Sequence, residues 1–221
     1  MDPFSPGRYD PEQDIHRITL YSHLVGEQQH MSLKPRLYLH LDMNCFYAQV
    51  EQYDHDLFGY PVAIGGYRKP DGTTRGIVAT SSYEARAFGV KTGMSAFEAD
   101  QLCPEIIFFQ VNYQKYKLIS KDLDEVLQGF APDVEPYSLD EYFLDITHML
   151  ESSDEEIMDF CKQLKYAIWE KVRLKCSVGV SYSKVYAKLA SDMQKPDGMT
   201  LILTEGDAAE RIWPLPINEV I

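Results

Sequence analysis

Hydrophobic and polar positions begin to alternate at Arg36. Leu37, Leu39 and Leu41 fall on one side and Tyr38, His40 and Asp42 on the other, which predicts a strand that ends in an acid. Asn44 then stands where it would cap a helix carrying Phe46, Tyr47, Val50 and Glu51. Pro61 to Ile64 and Gly76 to Thr80 read as two short strands, and the turn residues Lys69-Pro70-Asp71-Gly72 between them predict a hairpin. Short helices are predicted around Tyr83 to Phe88 and Ala96 to Leu102. A longer one is signalled by Tyr116, Ile119, Leu123, Val126 and Leu127 at helical spacing. Val134 to Ser138 and Tyr142 to Ile146 are strand-like and flank a tight corner at Leu139-Asp140-Glu141. Ser153 with Glu156 is a capping box that opens a helix carrying Ile157, Phe160, Leu164, Ile168 and Val172. A strand over Cys176 to Val180, a helix over Ser183 to Met193 and a strand over Met199 to Leu203 follow.

Helices and strands alternate, yet one neighbouring strand pair is joined by a tight corner. That mixture predicts an α+β domain of ferredoxin-like type, with a small insertion between about residues 54 and 105. Residues 1 to about 35 differ from the rest. They hold Pro3, Pro6, Gly7 and Pro11 and a Gln28-Gln29-His30 patch. A native extension and an expression scar both fit, and Met31 is an alternative start, so a flexible segment outside the fold is expected here.

Composition narrows the class. The 221 residues correspond to about one and a half domains at roughly 150 residues each. A hydrophobic share of 45% with 25% charged residues excludes a disordered or low-complexity chain. No apolar run approaches the roughly 20 residues of a membrane helix, and the N-terminus lacks the basic-then-apolar pattern of a secretory signal. No membrane partner is expected. The net charge of −13, from 34 acidic and 21 basic residues, repels phosphates at long range. A nucleic-acid function therefore requires local basic groups, a bridging metal or another segment. Cys45, Cys103, Cys161 and Cys176 form no CxxC pair, which argues against a zinc or redox motif and for a reducing compartment.

Three carboxylates stand out. Asp42 ends an apolar strand, and Asp140 and Glu141 sit together where two apolar strands meet. Adjacent acids in apolar surroundings are costly unless paired or bound to a cation. Such a trio suits two magnesium ions, which take hard oxygen ligands and, about 3.5–4 Å apart, serve phosphoryl displacement. Spacing alone does not bring Asp42 to Asp140. On pattern alone, a strand-end acid and a solvated hairpin corner are the ordinary reading.

Longer matches change that balance. Leu41-Asp42-Met43-Asn44-Cys45-Phe46-Tyr47-Ala48-Gln49-Val50-Glu51 resembles the opening motif of the Y-family translesion DNA polymerases. Four further matches follow in the family's order. They are Ala79-Thr80-Ser81-Ser82-Tyr83-Glu84-Ala85-Arg86-Ala87-Phe88-Gly89-Val90, Tyr137-Ser138-Leu139-Asp140-Glu141-Tyr142-Phe143-Leu144-Asp145, Val178-Gly179-Val180-Ser181 running into Ser183 to Asp192, and Lys195-Pro196-Asp197-Gly198. Together they span nearly all of residues 37 to 216, and the nearest likeness is to the polymerase IV and UmuC branch.

The resemblance implies a catalytic palm over residues 36–53 and 106–221 with fingers over 54–105, the DNA-gripping thumb and little finger being absent. It implies Asp42, Asp140, Glu141 and the Met43 carbonyl as ligands of two Mg2+ ions, with Glu141 near the primer 3′-hydroxyl. Tyr47 would be the steric gate against ribonucleotides. Phe46, Thr80, Tyr83, Arg86 and Lys195 would hold the triphosphate, and Ile77, Val78, Ala79 and Gly93 would roof the nascent base pair. Asp145 would be structural. The implied activity is low-fidelity DNA-directed DNA synthesis past damaged template bases. The implied partners are primer–template DNA and deoxynucleoside triphosphates, with a sliding clamp engaged through the missing C-terminal part. The compartment would be the cytoplasm of a bacterium, or the nucleus or an organelle of a eukaryote. Two alternatives compete. One is a catalytically silent DNA-damage accessory or scaffold. The other is a palm-fold nucleotidyl cyclase, which predicts a Gly-Gly-Asp/Glu-Glu-Phe-like hairpin where this corner reads Ser-Leu-Asp-Glu-Tyr.

Overall fold

The computed structural model describes residues 35–216. The expected N-terminal extension thus lies almost wholly outside the described residues, as do residues 217–221. The elements are β1 (Tyr38–Met43), α1 (Phe46–Asp54), β2 (Val62–Arg68), β3 (Thr74–Ser81), α2 (Tyr83–Ala87), α3 (Ala96–Leu102), β4 (Ile107–Phe109), α4 (Tyr113–Leu127), β5 (Val134–Pro136) and β6 (Glu141–Asp145). After a 3-10 turn at Thr147–Met149 come α5 (Asp154–Val172), β7 (Cys176–Ser181), α6 (Lys184–Met193), β8 (Met199–Ile202) and α7 (Glu205–Arg211).

Two sheets organise the chain. The larger runs β5-β6-β1-β7-β8 and the smaller β3-β2-β4. β5, β6, β1 and β7 are mutually antiparallel neighbours, while β8 joins β7 in parallel. With α4 and α5 on one face, those antiparallel strands form the expected ferredoxin-like α+β arrangement. The α6 crossover covers the other face, and β8 extends the sheet at its β7 edge.

The alternation read at Leu37 to Asp42 sets both faces. Leu37, Leu39, Leu41 and Met43 join Val178, Val180 and Leu144 under Tyr116, Leu123 and Leu127 of α4 and Ile157, Cys161, Leu164 and Ile168 of α5. Burying each such side chain contributes about 1.5–3 kcal/mol. The opposite face does not meet solvent, as a simple alternation would suggest. β1 lies between two strands and beneath α6, and His40 is fully buried.

Local signals explain the helices. Ser153 accepts the Glu156 N–H at 3.3 Å while Glu156 accepts the Ser153 N–H at 2.8 Å, completing the capping box of α5. Asp154, Glu155 and Glu156 place negative charge at its positive end. Asn44 does not cap α1. The cap is Cys45, with φ of 38° and no side-chain bond. Asn44 instead accepts a 2.9 Å hydrogen bond from Ser177 Oγ on β7, and a buried interstrand partner outcompetes a local cap.

α1 carries the chain from the large sheet to the small one and is buried on both sides. Phe46 and Val50 face the palm core, and Ala48 meets Val62 and Ile64 of β2. The small sheet closes over Ala63, Val78, Ala85, Val90, Ala99, Cys103 and Ile106. Its third strand, β4, pairs in parallel with β2, so this subdomain runs to Phe109, past the boundary read at 105. The run Ile106 to Phe109 is too short for periodicity to reveal. α7, capped by Thr204 and Asp207, was likewise not predicted.

Gly179 on β7 fixes how closely α6 approaches. A Cβ there would lie 2.1 Å from the Ala187 carbonyl oxygen and 2.3 Å from the Ser191 nitrogen. Backbone on both sides leaves no flexible atom to yield. Gly179→Ala is therefore expected to cost about 3 kcal/mol by overpacking. Urea denaturation measures it; a loss under about 0.5 kcal/mol would show that α6 is not seated against β7.

Candidate active site

The register of β1 and β6 closes the sequence gap between the acids. Asp42 pairs directly with Glu141, and on its other side with Ser177 of β7. Directly paired residues point to the same face, here the face of α6. The Met43 N–H donates to the Asp140 carbonyl at 3.0 Å and ties the corner to β1. Ser138 shapes that corner. Its hydroxyl accepts the N–H groups of Asp140 and Glu141 at 3.3 and 3.1 Å and donates to Asp140 Oδ1 at 2.7 Å.

Lysines from α6 and the turn after it face the acids. Lys188 pairs with Glu141. Lys195 Nζ lies 2.7 Å from both Asp42 and Asp192. The next turn is anchored from beneath, where Lys165 and Lys175 reach Asp197 at 2.8 and 3.1 Å. Burial pushes the Asp42 carboxyl up to about 6, with Glu141 and Asp140 adding to the rise and Lys195 opposing it. Burial also raises Asp140, Ser138 opposing and Glu141 reinforcing. Burial works against the Lys195 charge, but Asp42 and Asp192 outweigh it and its pKa rises. Both pKa values therefore rise, which favours the charged form of Lys195 and the neutral form of Asp42. The Asp42 carboxyl rises first because it is buried, and then because three carboxylates share a site that holds two lysines.

His40 lies one pleat deeper. Burial first, then Lys188 and Lys195, lower its pKa to about 3, so it is neutral. Ser191 Oγ donates to the Lys188 carbonyl at 2.7 Å and accepts from His40 Nδ1 at 2.8 Å. That assigns the proton to Nδ1. The unprotonated Nε2, 3.7 Å from Glu141 Oε1, has no hydrogen-bond partner among the described residues.

Tyr47 lies beside this cluster on the first turn of α1. Burial raises its pKa, and the Asp140 charge adds to the rise. Its ring stacks on Tyr116 of α4, centroids 4.1 Å apart and planes 12° apart, and meets Tyr113 edge-on at 6.1 Å.

The small sheet supplies a cationic side. Ser82 caps α2 by accepting the Ala85 N–H. Three residues apart on that helix, Arg86 lies over the Tyr83 ring with its Cζ 4.8 Å from the centroid. Arg86 Nε donates to the Ser81 carbonyl at 3.0 Å, and the guanidinium has no salt-bridge partner among the described residues. Burial raises the Tyr83 pKa, and the charges of Arg86, Lys195 and Asp42 all act on its hydroxyl. α2 therefore faces the acids across the cleft. Thr80 is half-buried at the end of β3.

Two sequence-read positions stand elsewhere. Phe46 is 3% exposed, with its ring in the palm core, so only its backbone faces the cleft. Val78 is fully buried in the small subdomain and underlies the strand instead of lining it. Its neighbours Ile77 and Ala79 are exposed, as strand alternation requires, and Gly93 is exposed beside them, donating to the Val78 carbonyl at 2.8 Å. Asp145 accepts the Thr147 N–H at 3.0 Å, a structural part as read. Lys188, Ser138 and His40 were missed. Lys188 lies on α6 and Lys195 in the turn after it, so no helical spacing linked the two in the sequence. Among the described residues, as their side chains lie, no three His, Cys, Asp or Glu groups converge closely enough to hold a metal ion.

Fold and site together define a ferredoxin-like palm that carries paired strand-end acids and a smaller subdomain that presents Arg86. The model of the impB/mucB/samB family matches residues 41–192. The chain belongs to this family, the Y-family group whose motifs it resembles. It is 43% identical over 185 residues to a DNA polymerase IV of Streptococcus agalactiae, covering 83% of this chain and 50% of the relative. It is 42% identical to a DNA polymerase IV of Streptococcus suis, with coverage of 83% and 51%. Among solved structures, the insertion ternary complex of Dbh DNA polymerase aligns with a TM-score of 0.73 at 31% identity, over 83% of this chain and 53% of that one. DinB from Sulfolobus solfataricus aligns with a TM-score of 0.73 at 30% identity, over 83% and 52%. The chain spans about half the length of the curated relatives it matches.

The Asp42 shift has a testable sign. A carboxyl raised from 3.8 to about 6 binds its proton more tightly in the folded than in the unfolded chain. Its charge therefore costs stability above pH 6 and costs nothing below about pH 4. Asp42→Asn should stabilise by about 2 kcal/mol at pH 8 without divalent cations. The gain should shrink as pH falls from about 6 and vanish near pH 4. Denaturation across that range checks it, and a pH-independent gain would contradict the shift.

Proposed function

We propose that this chain is the palm and fingers of a DNA-directed DNA polymerase that adds deoxynucleotides to a primer 3′-hydroxyl opposite damaged template bases. The observation that carries the reading is the direct pairing of Asp42 with Glu141, with Asp140 held at the corner and Tyr47 beside it. The family assignment supports it and removes the cyclase alternative.

The donor set fits divalent cations. Carboxylate oxygens of Asp42, Asp140 and Glu141 and the carbonyl of Met43 are hard ligands, and burial, with neighbouring acids adding, raises the Asp42 and Asp140 pKa values, so a bound cation would stabilise their charged forms. These residues would hold two Mg2+ ions. When bound, such ions lower the pKa of the attacking hydroxyl and neutralise charge on the transferring phosphoryl group.

The chain's own groups position the substrates. Arg86 offers a planar fork and Lys195 a point charge to the triphosphate, with Tyr83 and Thr80 as hydroxyl donors. Phe46 contributes its backbone N–H, one of the unpaired donors of the first turn of α1. Tyr47 stands where its ring excludes a 2′-hydroxyl, which is discrimination by a clash built against the wrong sugar. Ile77, Ala79 and Gly93 form a low exposed surface suited to cover a base pair, with Val78 as its underside. Catalysis is then mostly alignment and charge neutralisation.

Primer extension by the full-length protein tests this. Asp140→Ala should lower deoxynucleotide addition by about a thousandfold or more while leaving melting temperature near that of the parent. Retained turnover would remove Asp140 from the reacting centre, and an inactive parent would leave the scaffold alternative in place. Tyr47→Ala should admit ribonucleotides; unchanged sugar discrimination would sink the gate assignment.

A further inference from the structure

Glu51 is a buried acid with an unusual set of partners. It is 3% exposed on α1, four residues after Tyr47 and so on the same helical face. Its Oε1 accepts the Tyr116 hydroxyl at 2.9 Å. Its Oε2 accepts Lys115 Nζ at 2.8 Å, and His55 Nε2 lies 3.4 Å away. Lys115 also reaches Asp54 at 2.7 Å. A carboxylate is expensive to bury, and an apolar residue with a phenylalanine opposite would fill this volume at less cost.

The second contact of Tyr116 suggests what the arrangement does. Its ring lies flat on Tyr47, at 4.1 Å and 12°, while its hydroxyl is fixed by Glu51. Tyr116 is thus clamped to α1 at two points, by its face and by its tip. A phenylalanine would keep the face contact and lose the tip. The ring could then slide or tilt on Tyr47, because aromatic pairs accept both offset-stacked and edge-to-face arrangements over a range of separations. A charged hydrogen bond supplies the missing direction.

We propose that Glu51 is a positioning residue for sugar discrimination, holding the Tyr116 ring as a fixed backstop that keeps Tyr47 upright against a 2′-hydroxyl. The proposal rests on Tyr47 being the gate. Sugar discrimination works only if the gate resists displacement, since a ring free to recede yields space for one extra oxygen. Lys115 balances the Glu51 charge and links the clamp to α4. Glu51 touches neither substrate nor reacting atoms, so its effect passes through Tyr116 alone.

Deoxynucleotide and ribonucleotide kcat/KM are compared for the full-length protein carrying Tyr116→Phe, Glu51→Gln, Tyr47→Ala, or Tyr47→Ala with Tyr116→Phe. Tyr116→Phe should lower the deoxy-to-ribo ratio about tenfold, the scale of one charged hydrogen bond. Glu51→Gln keeps an acceptor for the Tyr116 hydroxyl and should lose less. Adding Tyr116→Phe to Tyr47→Ala should change the ratio no further, because the gate it acts through is gone. The ratio separates the roles: a merely structural loss lowers melting temperature and both nucleotide activities together and leaves the ratio unchanged, which would overturn the proposal. If Tyr47→Ala collapses the ratio and Tyr116→Phe does not, the clamp is refuted and the gate stands. If neither variant moves it, the gate assignment has failed and the clamp falls with it.

Discussion

Two carboxylates placed directly opposite each other at the ends of paired strands are the constraint on which the rest of the structure depends. Asp42 and Glu141 cannot separate without breaking the β1–β6 register, and that register is set by the apolar face of β1. A one-residue slip of β1 would turn Leu39 and Leu41 out of the core and Asp42 into it, away from Glu141. The hydrophobic core thus enforces an electrostatically unfavourable arrangement. The raised pKa values of Asp42 and Asp140 express that cost in the folded state.

Several features of the large sheet offset it. Gly179 admits α6 at backbone contact, which brings Lys188 to Glu141 and the following turn to Asp42. Lys165 and Lys175 hold Asp197 and so fix the turn that carries Lys195. Ser138 donates to Asp140 and gathers two backbone N–H groups at the corner. The neutral His40 fills the space behind Glu141 without adding charge. Each of these acts locally, but they share one dependence. Without the close seat of α6, neither lysine reaches its acid.

The sequence displayed some of this and hid the rest for identifiable reasons. The period-two pattern of Leu37 to Asp42, the helical spacing of Tyr116 to Leu127 and the Ser153–Glu156 box all report local structure, and each element formed where its pattern lay. The meeting of Asp42 with Asp140 and Glu141 depends on strand order, which no local pattern encodes, and only the family motifs pointed to it. Asn44 was misread because a cap-forming side chain and a buried interstrand acceptor look alike in sequence. Phe46 and Val78 sat inside functional motifs, yet their side chains belong to the two cores. A motif preserves packing and chemistry together, and only burial separates them. Tyr116 shows the converse. Its helical spacing marked it as core, correctly, but its contact with Tyr47 arises from two elements far apart in the chain.

The two halves of the cleft are balanced differently, and the difference suits the proposed chemistry. On the palm side negative charge exceeds its compensation, and each lysine present is already engaged by an acid. On the fingers side Arg86 is exposed with no carboxylate partner among the described residues. A ligand that carried anionic phosphates would meet an open cation on one wall and, on the other, acids in need of cations. Binding would then relieve charge on both walls instead of requiring new charge to be buried. Such a site discriminates against a bare cation or a bare anion, since either alone satisfies only one wall. The overall charge of −13 is compatible with this reading, because attraction to phosphate is confined to a few groups facing the cleft.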